Sequence, residues 1–355
     1  MPKNQSLQRA KSEAYDEFYT RYEDIEREIN AYLEYNPNVF RDKTVLLPCD
    51  DPEWSNFTKF FAQKFEQLGL KKLISTSYAA DSKPKEIPYQ PTLFEIESPK
   101  YDKKKTRKHG KIFVLERDTN KNQKININDL EWDYLEGDGD FRSAEITKLR
   151  DEADIIITNP PFSLFIPFLK WIAEKNKLFI IIGSFYKISV KDVFPLIKEN
   201  KMWLGNGFYK GNAYFKVPEG YDTGCHVDGV YDSMTKQVKF RNCCWYTNID
   251  HGKRHNPLKL MRMDELVRYS RHADIKNNGY RKYDNFNAIE VKYYDAIPED
   301  YKGIMGMATT FLDKYCPDQF DIVGNEYTFK ISKGRCYIDG KRIAPRIFIK
   351  HKEQP

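Results

Sequence analysis

The segment from Asp154 to Phe162, DIIITNPPF, constrains the chain most. Ile155, Ile156, Ile157 and Thr158 are β-branched and stiff at the first side-chain torsion, which favours an extended backbone. No polar residue alternates with the isoleucines, so the strand is expected to be covered on both faces, as central parallel strands are. KLFIIIGSF (Lys177 to Phe185) has the same character, and FSLFIPFLKWIAEKN between them reads as a helix broken or kinked near Pro167. A strand, a helix and a second strand joined by short links make a crossover unit with parallel strands.

The same grammar occurs earlier. TVLLPCD (Thr44 to Asp50) and KKLISTSY (Lys71 to Tyr78) read as strands around a helix. Ser55 or Asn56 can cap that helix, Phe57, Phe60, Phe61, Phe65 and Leu68 form its buried stripe, and Gly69 stands at the C-terminal cap. Phe18, Tyr22, Ile25, Ile29 and Tyr32 recur at helical spacing between Asp16 and Glu34. KIFVLERD (Lys111 to Asp118) reads as a further strand and Ser143 to Glu152 as a short helix. The expected class is α/β with a parallel sheet.

Beyond Gly205 the texture changes to glycine-punctuated hairpins such as GNAYFKVPEG and GVYDSMTKQVKF. At 355 residues two domains are expected. Residues 1–15 read as a polar, disordered terminus, 16–218 as the catalytic domain and 219–355 as a second, largely β or irregular region. An insertion at about 81–111 interrupts the first domain. It holds four prolines, and from Lys100 to Lys111 it carries seven basic residues against one acid, Asp102. Such a run is either a solvated loop or an arm that touches phosphate.

No apolar run approaches the length of a membrane span, and MPKNQSLQRAKSEAYDEFYT lacks the apolar core of a secretory signal. Six cysteines without a regular framework suit reduced thiols in a cytoplasm. The net charge of +6 permits a polyanionic partner without requiring one.

Asn159-Pro160-Pro161-Phe162 carries the chemistry. Open α/β sheets bind ligands at the carboxyl ends of their strands, where this tetrapeptide falls. As a bare motif it is also a helix-initiating turn, with Asn as cap and Pro next. The functional reading concerns an exocyclic amine, whose lone pair is delocalised into its ring. Two acceptors, the Asn159 side-chain oxygen and the Pro160 carbonyl, can take its two N–H groups and free that lone pair. The prolines remove donors and fix φ, so the acceptors are preorganised. Phe162 offers a face for a base that has left the duplex.

NPPF resembles the catalytic motif of amino-group methyltransferases that use S-adenosylmethionine. With DEFYT, CDDPEWSNFTKFF, LEGDGDFRS, CWYTNID and TTFLDKYCPDQFDIVG, the chain resembles the EcoRI-type adenine DNA methyltransferases over roughly Ser12 to Lys352. The resemblance implies a Rossmann-like S-adenosylmethionine-dependent methyltransferase sheet followed by a DNA-recognition region. It implies a catalytic Asn159, Pro160, Pro161 and Phe162. Phe18, Tyr19 and Thr20 would close over the methionine part of the cofactor. Cys49, Asp50, Asp51 and Pro52 would grip its amino-acid end. Asp140 and Phe141, with Asp138 as a second candidate, would meet its adenine ring. The first loop departs from the wider superfamily in lacking glycine, and the second strand ends in Ser75-Thr76-Ser77-Tyr78 rather than an acid.

From His251 to Lys282 nine Lys/Arg stand against three acids. Lys253, Arg254, Arg262, Arg268 and Arg271 are the candidates for duplex DNA there, against a solvated face as the alternative. Lys330 to Lys352 adds a second basic stretch, read as hairpin strands TFKISKG and CYIDGKRI turning at Asp339-Gly340. Cys225-His226 and Cys243-Cys244 lack the spacing of a zinc knuckle, and no metal is expected. The leading expectation is an enzyme that methylates adenine N6 in double-stranded DNA, as a monomer and away from membranes. The alternatives are the same fold acting on RNA or a protein glutamine, and a catalytically silent DNA-binding homologue.

Overall fold

The computed structural model describes residues 19–50, 55–79, 96, 98–125, 127–208, 211–216, 230–331 and 335–352. Phe18, Asp51, Pro52, Cys225, His226, most of the 81–97 segment and the expected 218/219 boundary lie outside these residues. The chain divides into two compact units, one of Met1–Phe185 with Gly205–Ile249, the other of Tyr186–Leu204 with Asp250–Pro355. The first unit therefore extends past the expected boundary to Ile249, because the hairpin region after Gly205 supplies strands to its sheets.

In the first unit the order is β1 (Tyr19–Thr20), α1 (Tyr22–Tyr35), β2 (Thr44–Leu47), α2 (Asn56–Gln63), α3 (Phe65–Leu68), β3 (Lys72–Ser77), α4 (Lys103–Lys108), β4 (Lys111–Leu115), β5 (Glu131–Tyr134), α5 (Ala144–Glu152), β6 (Ile155–Thr158), α6 (Phe165–Ala173), β7 (Leu178–Ser184), β8 (Ala213–Lys216), β9 (Val230–Asp232), β10 (Gln237–Phe240) and β11 (Cys243–Thr247). Its large sheet runs β5-β4-β3-β2-β6-β7-β11. The inner four, β3, β2, β6 and β7, are parallel, and every residue of β2 and β6 is buried, as their unbroken apolar runs require. The expectation of a parallel sheet holds only for this centre. β4 and β5 on one side and β11 on the other are antiparallel, so the sheet is mixed. Among the described residues no α-helix lies between β4 and β5, and β11 arrives from the hairpin region.

A second, four-stranded sheet of order β1-β8-β10-β9 is wholly antiparallel. The large core joins both sheets through Phe57, Phe60, Phe61, Ile157, Ile180, Phe215, Phe240 and Trp245. Ser55 caps α2, accepting from Phe57 N at 3.1 Å, and Gly69 ends α3 at φ 65°. Pro167 falls in the first turn of α6, after a 3-10 turn at Phe162–Leu164, so the expected break precedes the helix and leaves its hydrogen bonds intact.

In the second unit α7 (Met263–Tyr269) and α8 (Ala273–Asn278) precede β12 (Ile289–Val291), β13 (Met305–Ala308), β14 (Phe320–Asn325), β15 (Tyr337–Ile338), β16 (Lys341–Arg342) and β17 (Arg346–His351). A sheet of order β12-β13-β17-β14 forms its centre, with Tyr283, Ala288, Cys336, Ile338 and Phe348 in one apolar cluster. β15 and β16 turn at Asp339 and Gly340, both at positive φ (51° and 71°), as a tight hairpin demands. Thr328–Lys330, expected in a strand, form a turn instead, because the Asn325 carboxamide accepts from the Tyr327 and Thr328 amides at 3.1 and 3.0 Å. No described helix is long and apolar enough to cross a membrane.

Candidate active site at the carboxyl edge of the central strands

β2, β3 and β6 run parallel, so Asp50, Tyr78 and Asn159 follow the same edge of the sheet. Three segments distant in sequence are tied together there. Thr158, the last residue of β6, is fully buried, and its Oγ1 lies 2.6 Å from the Pro48 carbonyl and 2.5 Å from Asp50 Oδ2. The other carboxylate oxygen of Asp50 accepts from Ser55 Oγ at 2.7 Å. Its carbonyl accepts from Ser75 Oγ on β3, which is 2.9 Å from Thr58 Oγ1 on α2. Asp50 thus fastens the start of α2 to the residue that precedes Asn159. A buried carboxylate needs such partners, since leaving it unsatisfied would cost several kcal/mol (~3–5).

The expected role of Asp50 differs from this placement: its side chain is buried and directed to hydroxyl groups of the chain itself. The glycine-free loop has a matching oddity. Cys49 takes φ 69°, the left-handed conformation that glycine adopts at little cost and other residues adopt at roughly 1–2 kcal/mol. Its Sγ is 3.8 Å from the Tyr78 hydroxyl at the end of β3. Burial, with Cys49 and Asp140 nearby, pushes the Tyr78 hydroxyl far up, so it stays a neutral donor.

The LEGDGDF loop closes the same corner. Ala79 N donates to the Asp138 carbonyl at 2.8 Å, and Gly110 N to the Gly137 carbonyl at 2.9 Å. Gly139 has φ 89°, and a Cβ there would collide with the Ser77 carbonyl, so the loop backbone lies directly on the end of β3. Arg142 grips Asp140 with two nitrogens, at 2.9 and 2.5 Å, and holds its carboxyl below the usual carboxylate range. Asp138 Oδ1 accepts from the Asp140 amide at 3.1 Å. Phe141 is fully buried against Phe168 and Trp171, with centroids 5.0 and 5.6 Å away, so its ring offers no free face to a ligand in this arrangement.

Around the motif, Asn159, Pro161 and Phe162 are half-buried and Pro160 is buried. The Phe162 ring meets Phe215 and Phe240 edge-on, at 6.3 and 5.8 Å. Those two rings belong to β8 and β10, and β1 pairs with β8, Thr20 opposite Phe215. Asn56 Nδ2 at the start of α2 donates to the Thr20 carbonyl at 2.8 Å. Tyr19, Thr20, Cys49, Asp50 and the NPPF motif are thereby brought into one neighbourhood. Sequence reasoning missed Thr158, Ser55 as a partner of Asp50, Ser75 and Arg142. A hydroxyl residue that ends an isoleucine run was the available signal for Thr158.

The basic candidates of the second unit are engaged differently. Arg254 is buried, its guanidinium 3.7 Å from the Trp203 ring centroid and bonded to Asn200 and Asp250. Lys253 meets Asp313 at 2.5 Å, Arg271 meets Asp295 at 2.8 Å, and Arg262 lies 3.6 Å from both Asp264 and Asp300. Arg268 is exposed on α7. Cys244 is buried on β11 and Cys243 half-buried beside it. Among the described residues no group of three or more His, Cys, Asp or Glu side chains is placed to hold a metal ion.

The model of the family described as adenine-specific methyltransferase EcoRI matches residues 6–352. The chain is 37% identical to the type II methyltransferase M.EcoRI of Escherichia coli over 98% of its own length and 97% of the relative's. It is 31% identical to the type II methyltransferase M.MpnI of Mycoplasma pneumoniae, and 30% identical to M.MgeORF184P of Mycoplasma genitalium. Each of these covers 97% of this chain and 98% of the relative. No solved structure gives a significant match. The chain belongs to the EcoRI-type family of adenine-specific methyltransferases.

Proposed function

We propose that this methyltransferase moves a methyl group from S-adenosylmethionine to the exocyclic N6 amine of an adenine turned out of duplex DNA. The observation that carries the proposal is the position of Asn159-Pro160-Pro161-Phe162: it follows a fully buried central strand whose last residue, Thr158, is anchored to Pro48 and Asp50. That anchor fixes where the two acceptors, the Asn159 side-chain oxygen and the Pro160 carbonyl, stand. Holding both N–H groups of the amine bends its nitrogen towards tetrahedral and exposes the lone pair. Pro160 and Pro161 keep the backbone from rearranging as charge develops. Phe162, braced edge-on by Phe215 and Phe240, supplies the surface on which the purine stacks.

The residues at the strand ends suit a cationic nucleoside cofactor. S-adenosylmethionine, when bound, supplies an electrophilic methyl group on a sulfonium centre. Asp140, kept ionised by Arg142, and Asp138 provide carboxylates, while the neutral Tyr78 hydroxyl provides a donor. Tyr19, Thr20 and Cys49 flank the same edge, whereas Asp50 acts as a positioning residue. The parallel centre β3-β2-β6-β7 supports a Rossmann-like reading of the sheet.

Asn159→Ala tests the mechanism. Transfer of labelled methyl groups to duplex DNA should fall by at least about 10²–10³, with DNA affinity little changed. Turnover at the wild-type rate refutes the assigned acceptor. Transfer to RNA or to a glutamine peptide in preference to DNA refutes the substrate, and no calorimetric heat with S-adenosylmethionine favours a silent DNA-binding protein.

A further inference from the structure

We propose that helix α4, KKKTRK at Lys103–Lys108, is a duplex-backbone contact of the catalytic unit, gripping the phosphates that flank the target base. This rests on the DNA-methyltransferase reading above.

The helix is built to present charge. Thr106 alone is buried, and its hydroxyl is 2.7 Å from that of Tyr134 on β5. Lys103, Lys104, Lys105, Arg107 and Lys108 are all exposed. Asp102, the nearest acid, is occupied as the N-cap, accepting from the Lys104 and Lys105 amides at 2.7 and 3.0 Å. Lys105 leans over the Tyr134 ring, 5.9 Å from its centroid. Among the described residues no carboxylate comes within ion-pair distance of Lys103, Lys104 or Lys108. Lys103 with Arg107 and Lys104 with Lys108 sit at i,i+4 spacing, where like charges repel. An isolated helix gains nothing from that layout; a polyanion relieves it.

Position makes the inference specific. β4 is antiparallel to β3, with Lys111 opposite Ser77, so α4 stands at the sheet edge that carries Asn159. His109 Nδ1 lies 3.0 Å from the Leu135 and Glu136 carbonyls, and Leu135 N donates to Gly110 O at 2.8 Å. The helix is clasped to the LEGDGDF corner and is a fixed element of that edge. A rigid cluster of cations beside a base-handling site matches the phosphates of a strand held there.

The test compares two triple variants by salt-dependent binding of a short mixed-sequence duplex. Lys103→Gln with Lys104→Gln and Lys108→Gln removes three charges from α4. Lys175→Gln with Lys201→Gln and Lys314→Gln removes three from lysines that are already ion-paired. The α4 variant should lower the slope of log K against log salt by about 2–3 and weaken binding about 10–100-fold at low salt. The control should bind like wild type. An unaltered slope in the α4 variant, or an equal loss in both variants, overturns the assignment while a wild type that methylates DNA keeps the function. A wild type that transfers no methyl group to DNA overturns both. Tighter binding of a matched RNA duplex overturns the choice of DNA.

Discussion

Two of the chain's basic tracts, Lys100 to Lys111 and His251 to Lys282, look alike in sequence and are built differently in space. In the tract from His251 to Lys282, several cations are met by groups from far along the chain, Lys253 by Asp313, Arg271 by Asp295 and Arg254 by Trp203 and Asn200, while Arg268 stays exposed. On α4 the acid at hand is the N-cap, and Lys103, Lys104 and Lys108 project from a helix anchored by one threonine. A count of Lys and Arg in a window measures charge before neutralisation. What a surface offers a polyanion depends on carboxylates that folding brings up from elsewhere. The tract richer in sequence signals is thus the more committed to its own architecture.

Arg254→Ala attacks this contrast hardest. Removing a buried guanidinium that stacks on Trp203 and bonds to Asn200 and Asp250 should cost about 3 kcal/mol of folding free energy, read from urea unfolding. The salt dependence of DNA binding should not move; a lower slope with unchanged stability would make Arg254 a phosphate ligand and break the comparison. Lys253→Ala and Arg271→Ala, each losing a partly exposed ion pair, should cost no more than about 1 kcal/mol. The α4 triple variant should shift stability by less than about 0.5 kcal/mol, since it removes no buried contact and relieves repulsion.

The smallest effect is a pH dependence in the second unit. His255 Nδ1 is 2.9 Å from Asp318 and its Nε2 2.9 Å from Asp250, and these carboxylates raise its pKa, Asp318 most. A raised folded pKa means that the stabilisation is fully present below the ordinary histidine value of about 6.5 and is lost as pH climbs through the folded value. His255→Gln should flatten the urea midpoint across that window; an identical pH profile would remove the pair from the account.

Much of the first unit was legible because its signals are local. β2, β6 and β7 are apolar without alternation, and only burial on both faces accommodates that. The NPPF motif was legible because it follows such a strand. β5 was not, since Glu131, Trp132, Asp133 and Tyr134 alternate over four residues with acids outward, which a polar loop also does. The return of β11 to the large sheet was hidden as well: Cys243 to Thr247 pairs with Ser184 to Ile180 through contacts that no short-range pattern encodes. The partners of Asp50 were not legible, because a carboxylate beside a strand end reads alike whether it faces a ligand or a buried threonine.

The Thr158–Asp50–Ser55 chain has a consequence for how such an enzyme can be rebuilt. The acceptor motif and the loop after β2 share one fastening, so neither can be transplanted alone. A graft of one from a relative should inherit its function only when the other travels with it, and substitutions drawn separately from the two segments should clash when combined.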